Sequence, residues 1–305
     1  MKSTETKQHH RLDHAPFLVK PGRKVRIADF DPSYTAGFKN KAEAREALLE
    51  DVSALAAAQE LLWASSKYAV LIIFQAMDAA GKDGTIKHVM SGVNPQGCNV
   101  YSFKAPPDEE RQHHFLWRPV RFLPARGRIA IFNRSYFEEV LVVRVHPEFL
   151  EQQWVATPLR KAADAKFWND RFDQINSFER GIVAGGTLIL KFFLHVSRDE
   201  QRRRFIDRLT DEDKQWKFSP ADAHERSFWN DYMRAYEEML TATSTEYAPW
   251  YVVPADHKYF SRACVADIIG SRIQELGLEC PKVNKQQLAG LNEALQKLQA
   301  EGEIA

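Results

Sequence analysis

Short apolar runs recur along the chain and predict the strands of a single sheet. The run at 68–75 is continuous and rich in β-branched residues, and it lies between a polar segment and a turn of small residues. Such a run is typical of a strand that is buried on both faces. Similar runs follow at 98–103, 128–132, 187–196 and 250–253. The pattern therefore predicts a sheet of about five strands.

Between these runs, apolar residues recur at three- and four-residue steps, which predicts amphipathic helices. The first stretch of this kind, 41–63, precedes the first strand, and the last, 285–298, follows the last strand. The other predicted helices lie at 108–115, 165–181, 199–209, 221–240 and 260–276. Parallel strands need helical crossovers of this kind, so we predict an α/β fold, a three-layer αβα sandwich around a parallel sheet.

The chain divides into three predicted parts. Residues 1–40 are polar, contain three prolines and show no regular period, so we expect an irregular N-terminal arm. Residues 41–278 hold all five predicted strands and form the predicted α/β domain. Residues 279–305 form a predicted helical tail, packed on the outside of the domain or on a partner subunit.

Composition and charge narrow the class of protein. The 305 residues are 44% hydrophobic and 27% charged, with a formal net charge of +1. Such a chain can bury one large core, but it has no global field to attract nucleic acid or a membrane surface. The three cysteines form no CxxC pair, and no apolar stretch has the length of a secretory signal or a membrane span. We therefore expect a cytoplasmic protein that binds anions only through local clusters of charge.

The first predicted strand runs into the sequence AMDAAGKDGTI at 76–86, whose later residues can start a helix. A strand, a loop of small residues, a lysine and a helix, in this order, are the parts of a phosphate-binding P-loop. Small residues let backbone N–H groups converge on phosphate oxygens, and Lys82 can reach the β- and γ-phosphates. The candidate phosphate-binding residues are Ala79, Ala80, Gly81, Lys82, Asp83 and Gly84.

The loop departs from the general pattern GxxxxGK[ST] at two positions. Ala76 stands in place of the first glycine, and Asp83 stands in place of the hydroxyl residue that normally contacts Mg²⁺. A carboxylate, Asp78 or Asp83, is therefore expected to reach the metal directly or through water. The alternative is an ordinary strand-to-helix turn with a solvated lysine, which is common in α/β proteins.

A second candidate segment, NRSYFEEV at 133–140, follows the third predicted strand. Because the carboxyl ends of parallel strands face one crevice, Asn133, Arg134 and Glu138 are expected to lie near Lys82. An acid would be expected at the strand end, where the neutral Asn133 stands, so Glu138 becomes the candidate that balances the metal charge. The alternative is that this glutamate and the next one only stabilise a helix N-terminus.

Two groups of basic residues add local positive charge. The stretch between residues 111 and 134 contains six arginines and no acid, and unpaired guanidinium groups beside a P-loop suit a ligand with many phosphates. These residues are Arg111, Arg118, Arg121, Arg126, Arg128 and Arg134. The alternative is a solvated basic loop that pairs with acids elsewhere, and we favour it for Arg126 and Arg128.

The second basic group lies on the helix after the fourth strand and in the turn beyond it. Arg204 and Arg208 are four residues apart and share a helix face, a geometry that lets a mobile lid close over phosphates. Acids on the same helix would pair with some of these side chains, so only a subset can be catalytic. The group consists of Arg198, Arg202, Arg203, Arg204, Arg208, Lys214 and Lys217.

Five motifs in one order carry a resemblance to a known family. They are AMDAAGKDGTI, IFNRSYFEEVLVVRVH, LKFFLHVSRDEQRRRF, WKFSPAD and TSTEYAPWYVVPA. From about residue 29 to residue 269, the chain resembles the second family of polyphosphate kinases. The resemblance implies a P-loop kinase core with a helical lid, here at about 198–220. It also implies phosphoryl transfer between inorganic polyphosphate and nucleotides, with Mg²⁺ as cofactor and Mn²⁺ as a substitute.

The resemblance also implies residue roles. Asp78 is the metal ligand, and Asn133 and Glu138 meet the nucleotide. The implied catalytic residues are Asp78, Lys82, Arg134, Glu138, Arg198, Arg204 and Arg208. Outside the loop, the implied polyphosphate-binding residues are Arg118, Arg121, Arg134, Lys214 and Lys217.

The pair Asn133 and Glu138 resembles the subclass that phosphorylates both AMP and ADP. The implied partners are inorganic polyphosphate, adenine or guanine nucleotides, and further copies of the chain in a dimer or tetramer. Two other functions remain open from the sequence: an ATP-dependent nucleoside monophosphate kinase, and a regulator that binds nucleotide without turnover.

Overall fold

The computed structural model describes residues 12–153 and 164–302. These residues form one parallel sheet with the strand order β2-β3-β1-β4-β5. The strands are β1 (Ala69–Gln75), β2 (Cys98–Ser102), β3 (Ile129–Asn133), β4 (Thr187–His195) and β5 (Trp250–Pro254). The prediction of a parallel α/β sheet with about five strands is confirmed.

The helices between the strands follow the predicted alternation, with two differences. The α-helices are α1 (Lys41–Ser65), α2 (Lys82–Val89), α3 (Asp108–Arg111), α4 (Trp117–Val120), α5 (Val142–Val145), α6 (Phe149–Gln152), α7 (Ala165–Ala184), α8 (Arg198–Thr210), α9 (Pro220–Glu225), α10 (Trp229–Thr243), α11 (Lys258–Gln274) and α12 (Lys285–Gly302). The helix predicted at 221–240 is instead divided into α9 and α10 by a 3₁₀ turn, Arg226–Phe228. The helix predicted at 108–115 is only the single turn α3.

Helices cover the sheet so that its central strand is fully enclosed. β1 is buried at every position and lies between β3 and β4. α1 packs along α11, which also contacts α2, whereas α7 contacts β4 and α10. β2 is an edge strand, and its Val100 is 50% exposed, so the burial expected for this run is not found. The strand at the other edge, β5, is buried at every position. An edge strand has a neighbour on one side alone, and its sequence did not indicate this position.

The described part of the N-terminal arm, residues 12–40, runs along the other edge of the sheet. Phe17 and Val19 are buried, and Leu18 forms an antiparallel bridge to Tyr251 in β5. The N–H of Val19 donates to the carbonyl of Trp250 at 2.9 Å. The arm is irregular apart from the 3₁₀ turn Ile27–Asp29, and it covers backbone groups that an open edge would expose. Residues 1–11 of the predicted arm and 303–305 of the predicted tail lie outside the described residues.

A buried ion pair ties β4 to the helices of one layer. Nζ of Lys191 donates to Oε2 of Glu179 at 2.6 Å and to the carbonyl of Thr243 at 2.7 Å, and both charged side chains are fully buried. The hydroxyl of Tyr136 donates to the other oxygen of Glu179 at 2.8 Å. Because Tyr136 opens the 3₁₀ turn Tyr136–Val140, this network fixes the segment that follows β3.

No helix in the described parts of the chain is long and apolar enough to cross a membrane.

Candidate active site

The loop after β1 turns sharply into α2. Two of its residues have left-handed backbone, Ala79 with a φ of +60° and Gly81 with a φ of +109°. A φ near +109° suits glycine and strains any other residue, which explains the glycine directly before α2. α2 begins at Lys82, so its first free N–H groups lie at the carboxyl edge of the sheet, as in a P-loop.

Lys82 is the cation of this loop and is only 9% exposed. Its ammonium group donates hydrogen bonds to the carbonyl oxygens of Ala76, at 2.8 Å, and Met77, at 3.5 Å. Burial, followed by the positive charge of Arg134, lowers the pKa of Lys82 to about 8. A phosphate oxygen in the loop would give this ammonium group an anionic partner in place of neutral carbonyl groups.

Arg134 joins the loop to the segment after β3. Its Nη2 atom donates to Oδ1 of Asp78 at 2.7 Å, and its Nη1 atom lies 4.0 Å from Oε2 of Glu138. The charge of Glu138, followed by that of Asp78, raises the pKa of Arg134, whereas burial raises the pKa of Glu138. The backbone of Arg134 is left-handed, and its N–H donates to the carbonyl of Phe74 in β1 at 3.0 Å. The two predicted motifs therefore meet at one point.

Asn133 ends β3 beside the P-loop. Its Nδ2 atom donates to Oδ1 of Asp83 at 2.6 Å, in the first turn of α2. An amide can donate a hydrogen bond to a carboxylate, whereas a second carboxylate at the same place would repel it. The two departures from the usual P-loop pattern, Asp83 in the loop and a neutral residue at the end of β3, are therefore complementary.

Few carboxylates beside the P-loop could bind a metal ion. Within the described ranges, no three His, Cys, Asp or Glu side chains come close enough to form a metal site by themselves. Arg134 donates to Oδ1 of Asp78, so Oδ2 of Asp78 is the oxygen that could bind a metal ion. Mg²⁺ is usually bound by one or two carboxylates together with water and substrate phosphates, so an acid beside a phosphate loop suits this metal.

Comparison with known proteins identifies the family. A family model described as polyphosphate kinase 2 matches residues 38–279. The chain belongs to the polyphosphate kinase 2 family. The predicted resemblance and enzyme class, a polyphosphate kinase, are confirmed. Kinases of this family generally depend on a divalent metal ion.

Individual members of the polyphosphate kinase 2 family match over nearly their whole length. The ADP-polyphosphate phosphotransferase of Rhodopseudomonas palustris is 49% identical, and the match covers 87% of this chain and 91% of that protein. The AMP/ADP-polyphosphate phosphotransferase of Meiothermus ruber is 41% identical, with 87% and 95% covered. The crystal structure of polyphosphate kinase 2 from Arthrobacter aurescens TC1 superimposes with a TM-score of 0.82 at 38% identity, over 91% of this chain and 95% of that chain.

Arg204, predicted as an arginine of a mobile lid, lies instead beneath the polyphosphate kinase 2 P-loop. It is 4% exposed, and its Nη1 atom donates to the carbonyl oxygens of Ala79 and Ala80 at 2.9 and 2.8 Å. Its Nη2 atom donates to the carbonyl oxygen of Ala255, after β5, at 2.6 Å, and its Nε atom donates to Glu200 at 2.6 Å. In this arrangement Arg204 holds the loop backbone and has no donor directed at solvent.

The other predicted lid residues are dispersed. Arg208 is partly buried, and its Nη1 atom lies 3.9 Å from Oδ2 of Asp222, whereas Arg198 is exposed. Lys214 is exposed and forms an ion pair with Asp211. The side chain of Lys217 lies outside the described residues. Among these other lid residues, of those whose side chains the structure describes, only Arg208 lies near the charged groups at the site, through Asp222. The predicted roles of the others stay predictions.

Some arginines of the stretch at 111–134 pair with acids that lie outside it in the sequence. Nε of Arg118 lies 2.9 Å from Oε2 of Glu110, and Arg111 pairs with Asp108, because both acids stand directly before the stretch. The prediction that all six guanidinium groups are unpaired is therefore wrong for these two, and also for Arg134, which pairs with Asp78. Arg121 stacks over the ring of Trp117, with the guanidinium carbon 4.8 Å from the ring centroid.

Arg126 and Arg128 lie away from the P-loop. Arg128 directly precedes β3, at the opposite end of the strand from Asn133. Its guanidinium group donates to the carbonyl of Gln96, and that of Arg126 donates to the carbonyl of Gly185. Both side chains are exposed, as expected of the solvated basic loop favoured from the sequence, but they bind backbone carbonyl groups and not the acids that this alternative predicted.

Sequence reasoning missed two polar residues beside Asp78. Gln201 in α8 is buried, and its Nε2 atom donates to the carbonyl of Asp78 at 3.0 Å. Asp222 in α9 is close enough for its pKa to be raised by burial and then by the charge of Asp78, while Arg208 and Arg134 oppose this shift. The signal for Asp222 was present, since it ends the motif WKFSPAD, but nothing in one sequence indicated that α9 returns to the P-loop.

Two further cations were missed on α11. An Nη2 atom of Arg262 lies 3.3 Å from the position that a Cβ atom on Gly84 would occupy, so this side chain lies against the first turns of α2. Burial and the charge of Arg204 lower the pKa of Arg262, and burial, Arg204 and Arg262 lower the pKa of Lys258. Neither side chain makes a hydrogen bond or an ion pair with the described residues. A cationic surface that forms no ion pair with the described residues thus adjoins the P-loop helix, and the charge of Asp207 only partly offsets the repulsion that lowers the pKa of Lys258.

Proposed function

We propose that this chain transfers the terminal phosphoryl group of inorganic polyphosphate to AMP and to ADP, with Mg²⁺ held at Asp78. The observation that carries the proposal is the contact between Arg134 and Asp78, which unites the P-loop and the second motif of a polyphosphate kinase 2. The relatives from Rhodopseudomonas palustris and Meiothermus ruber are named for ADP and for AMP/ADP as acceptors. A protein that uses these nucleotides fits a cytoplasmic location.

The chemistry requires placement and charge more than covalent catalysis. The attacking group is the terminal phosphate of the nucleotide, which is ionised near pH 7, so we assign no general base. A phosphoanhydride bond of polyphosphate breaks, a new one forms to the nucleotide, and the shortened chain leaves as a phosphate anion. Lys82 and Arg134 would face the transferred group and stabilise the charge that spreads over its oxygens.

The metal would complete this charge balance. Asp78 supplies a carboxylate oxygen beside the P-loop, and bound Mg²⁺ neutralises charge on the phosphate oxygens. Mn²⁺ accepts the same oxygen ligands and is the proposed substitute. Glu138, whose Oε2 atom lies 4.0 Å from Nη1 of Arg134, would orient the acceptor phosphate or its water shell.

The donor chain would continue beyond the P-loop over the cations of α11. Lys258 and Arg262 form no ion pair with the described residues, and both lie near Arg204, which holds the loop. Successive phosphates of a polyphosphate would supply the missing counter-charges, and guanidinium groups bind such oxygens well. A nucleoside triphosphate donor would offer a base and a ribose to this surface in place of phosphates, so the cations favour polyphosphate over ATP.

A comparison of donors and acceptors tests the proposal. Purified protein with Mg²⁺ is incubated with AMP or ADP and either long-chain polyphosphate or ATP, and the nucleotides are separated by chromatography. We expect ADP and ATP to form from AMP, and ATP from ADP, with polyphosphate as the donor. If polyphosphate converts ADP but not AMP, the acceptor is ADP and the proposed use of AMP is wrong. If AMP is converted with ATP but not with polyphosphate, the protein is a nucleoside monophosphate kinase.

A further inference from the structure

Two tyrosines of α10, Tyr232 and Tyr236, lie one helical turn apart and are both buried. The hydroxyl of Tyr232 donates to Oε2 of Glu225 at 2.6 Å, so this donor already has an acceptor. Tyr236 is 3% exposed, and its contacts with the described residues are a ring contact and nearby charges, with no hydrogen bond from its hydroxyl. Because the hydroxyl of a buried tyrosine usually has a hydrogen-bond partner, this free donor indicates a place for a ligand.

The ring of Tyr236 fixes the hydroxyl near the P-loop. It stacks on Phe193 in β4, with the ring centroids 4.3 Å apart and the planes at 28°. Phe193 pairs in register with Gln75, the last residue of β1, and paired residues of neighbouring parallel strands point to the same face of a sheet. Since the P-loop sequence begins directly after Gln75, Tyr236 lies over the edge of the sheet from which the loop departs.

The charges that act on Tyr236 belong to the candidate active site. Burial raises the pKa of Tyr236 well above its usual value, the charges of Glu138 and Asp78 raise it further, and the charge of Arg134 opposes them. The hydroxyl therefore keeps its proton at neutral pH and remains a hydrogen-bond donor. It lies among carboxylates, where it can bind an anionic oxygen without forming an ion pair with them.

The packing of α10 places this donor on the acceptor side of the P-loop. α10 contacts the 3₁₀ turn Tyr136–Val140, which carries Glu138, whereas α11 with its free cations contacts α2. The strands that lead to these two parts, β3 and β5, lie on opposite sides of β1 in the sheet. The hydroxyl of Tyr236 is thus near the proposed site of the nucleotide phosphate, and the cations proposed to bind polyphosphate lie on the other side.

We propose that the hydroxyl of Tyr236 donates a hydrogen bond to a non-bridging oxygen of the terminal phosphate of the acceptor nucleotide. The inference rests on the proposed function, which assigns the acceptor to the side of Glu138. The bond orients the attacking phosphate and offsets its repulsion by the neighbouring carboxylates. No proton is transferred, because the phenol keeps its proton throughout the reaction.

Binding of ADP to the full chain tests this hydrogen bond without turnover. Calorimetric titration gives the Kd for ADP, with Mg²⁺ present and no phosphoryl donor, for the native chain and for Tyr236→Phe. Phenylalanine keeps the stack on Phe193 and removes only the hydroxyl, so we expect the Kd to rise about tenfold, the size of one hydrogen bond to a charged group. The Kd for polyphosphate and the melting temperature are expected to stay native.

Tyr232→Phe is the matched control, because it removes the hydroxyl one turn earlier, which is bonded to Glu225. It is expected to keep the native Kd for ADP. A folded Tyr236→Phe protein that binds ADP as tightly as the native chain would overturn the inference. Equal weakening of ADP and polyphosphate binding would also overturn it, since that result indicates a general disturbance of the loop.

Turnover decides the proposed function separately from this bond. If the native chain binds ADP but forms no ATP from polyphosphate, the proposed function is wrong. Selective weakening of ADP binding in Tyr236→Phe would still support the contact between the hydroxyl and the nucleotide phosphate.

Discussion

At the scale of single residues, the site combines one shared arginine with one lysine that has no acid bonded to it. Arg134 donates to Asp78 and faces Glu138, so its charge is already partly compensated. Lys82 donates only to backbone carbonyl groups, and its pKa is lowered to about 8. An arriving phosphate would therefore gain most from Lys82, which is the residue that the P-loop pattern singled out.

Replacement of Lys82 tests this assignment. We expect Lys82→Ala to lower kcat by on the order of 10²-fold or more, the size observed when one charge-stabilising donor is removed. Lys87→Ala on the same helix, α2, is the matched control and is expected to stay near native activity, because Lys87 is exposed. Steady-state kinetics with polyphosphate and ADP gives the comparison. A folded Lys82→Ala protein with native kcat would remove the P-loop assignment.

Glu138 is expected to matter more for one acceptor than for the other. AMP is shorter than ADP by one phosphate, so its reactive oxygen needs an additional ion or ordered water to reach the donor. We expect Glu138→Asn to lower kcat/KM for AMP at least about tenfold more than for ADP, or roughly 1.4 kcal/mol of selective stabilisation.

The adjacent Glu139 provides the control for that measurement. Glu139 is buried, pairs with Arg171 and accepts a hydrogen bond from Gln153, so Glu139→Gln should act through stability on both acceptors alike. Equal losses for AMP and ADP in Glu138→Asn would leave Glu138 as a helix-stabilising residue. This outcome is the alternative that the sequence left open.

At the scale of elements, the position of the P-loop depends on α8. Arg204 bonds the carbonyl oxygens of Ala79, Ala80 and Ala255, and thereby joins the P-loop, α8 and the end of β5. Gln201 adds a bond to the carbonyl of Asp78 from the same helix. The start of α8 is thus attached to the loop, and any closing movement of the predicted lid has to take place beyond Arg204.

Arg204→Lys tests this positioning role. Lysine keeps the charge but loses the planar fork, so we expect the free energy of unfolding to fall by about 2–4 kcal/mol. Amide hydrogens of residues 79–84 are expected to exchange faster, and kcat is expected to fall equally for AMP and ADP. Arg203→Lys, one residue earlier and largely exposed, is the control. Native exchange rates in the loop of Arg204→Lys would contradict the account.

The elements also show what one sequence can predict. Short apolar runs were sufficient to place all five strands, and the signal is strongest for the buried β1, a continuous run rich in β-branched residues, and weakest for the exposed edge strand β2. The break between α9 and α10 was missed, since Arg226–Phe228 contains neither glycine nor proline. The pairing of Arg118 with Glu110 was not predicted, because Glu110 lies one residue before the arginine-rich stretch at 111–134.

At the scale of the whole molecule, the site lies where separate parts of the chain meet. Lys82, Asp78 and Arg134 were predictable, since each follows a strand whose carboxyl end faces the same crevice. Lys258, Arg262 and Asp222 were not, because their places depend on how α9 and α11 pack, and no local pattern records that packing. The missed residues are nevertheless those that, in the proposed function, extend the site beyond the P-loop.

Lys258 and Arg262 in α11 are expected to make the KM for polyphosphate depend on its chain length. We expect Lys258→Ala/Arg262→Ala to raise KM for long-chain polyphosphate about tenfold, because two unpaired charges that face the chain are lost. KM for ADP should stay within about twofold, and tripolyphosphate should be affected less than the long chain. Arg126→Ala/Arg128→Ala, at the opposite end of the sheet, is the control. Equal KM changes for short and long donors would contradict a contact beyond the P-loop.

The central claim is that polyphosphate itself donates the phosphoryl group, and ³¹P NMR of one reaction mixture tests it most directly. Native protein, Mg²⁺, ADP and long-chain polyphosphate are followed over time, with no ATP added at the start. The account predicts that each ATP formed is matched by the loss of one phosphoanhydride linkage from polyphosphate, and that the Lys82→Ala protein shows neither change. Polyphosphate that stays at its initial chain length, with no ATP above the level without protein, would contradict it.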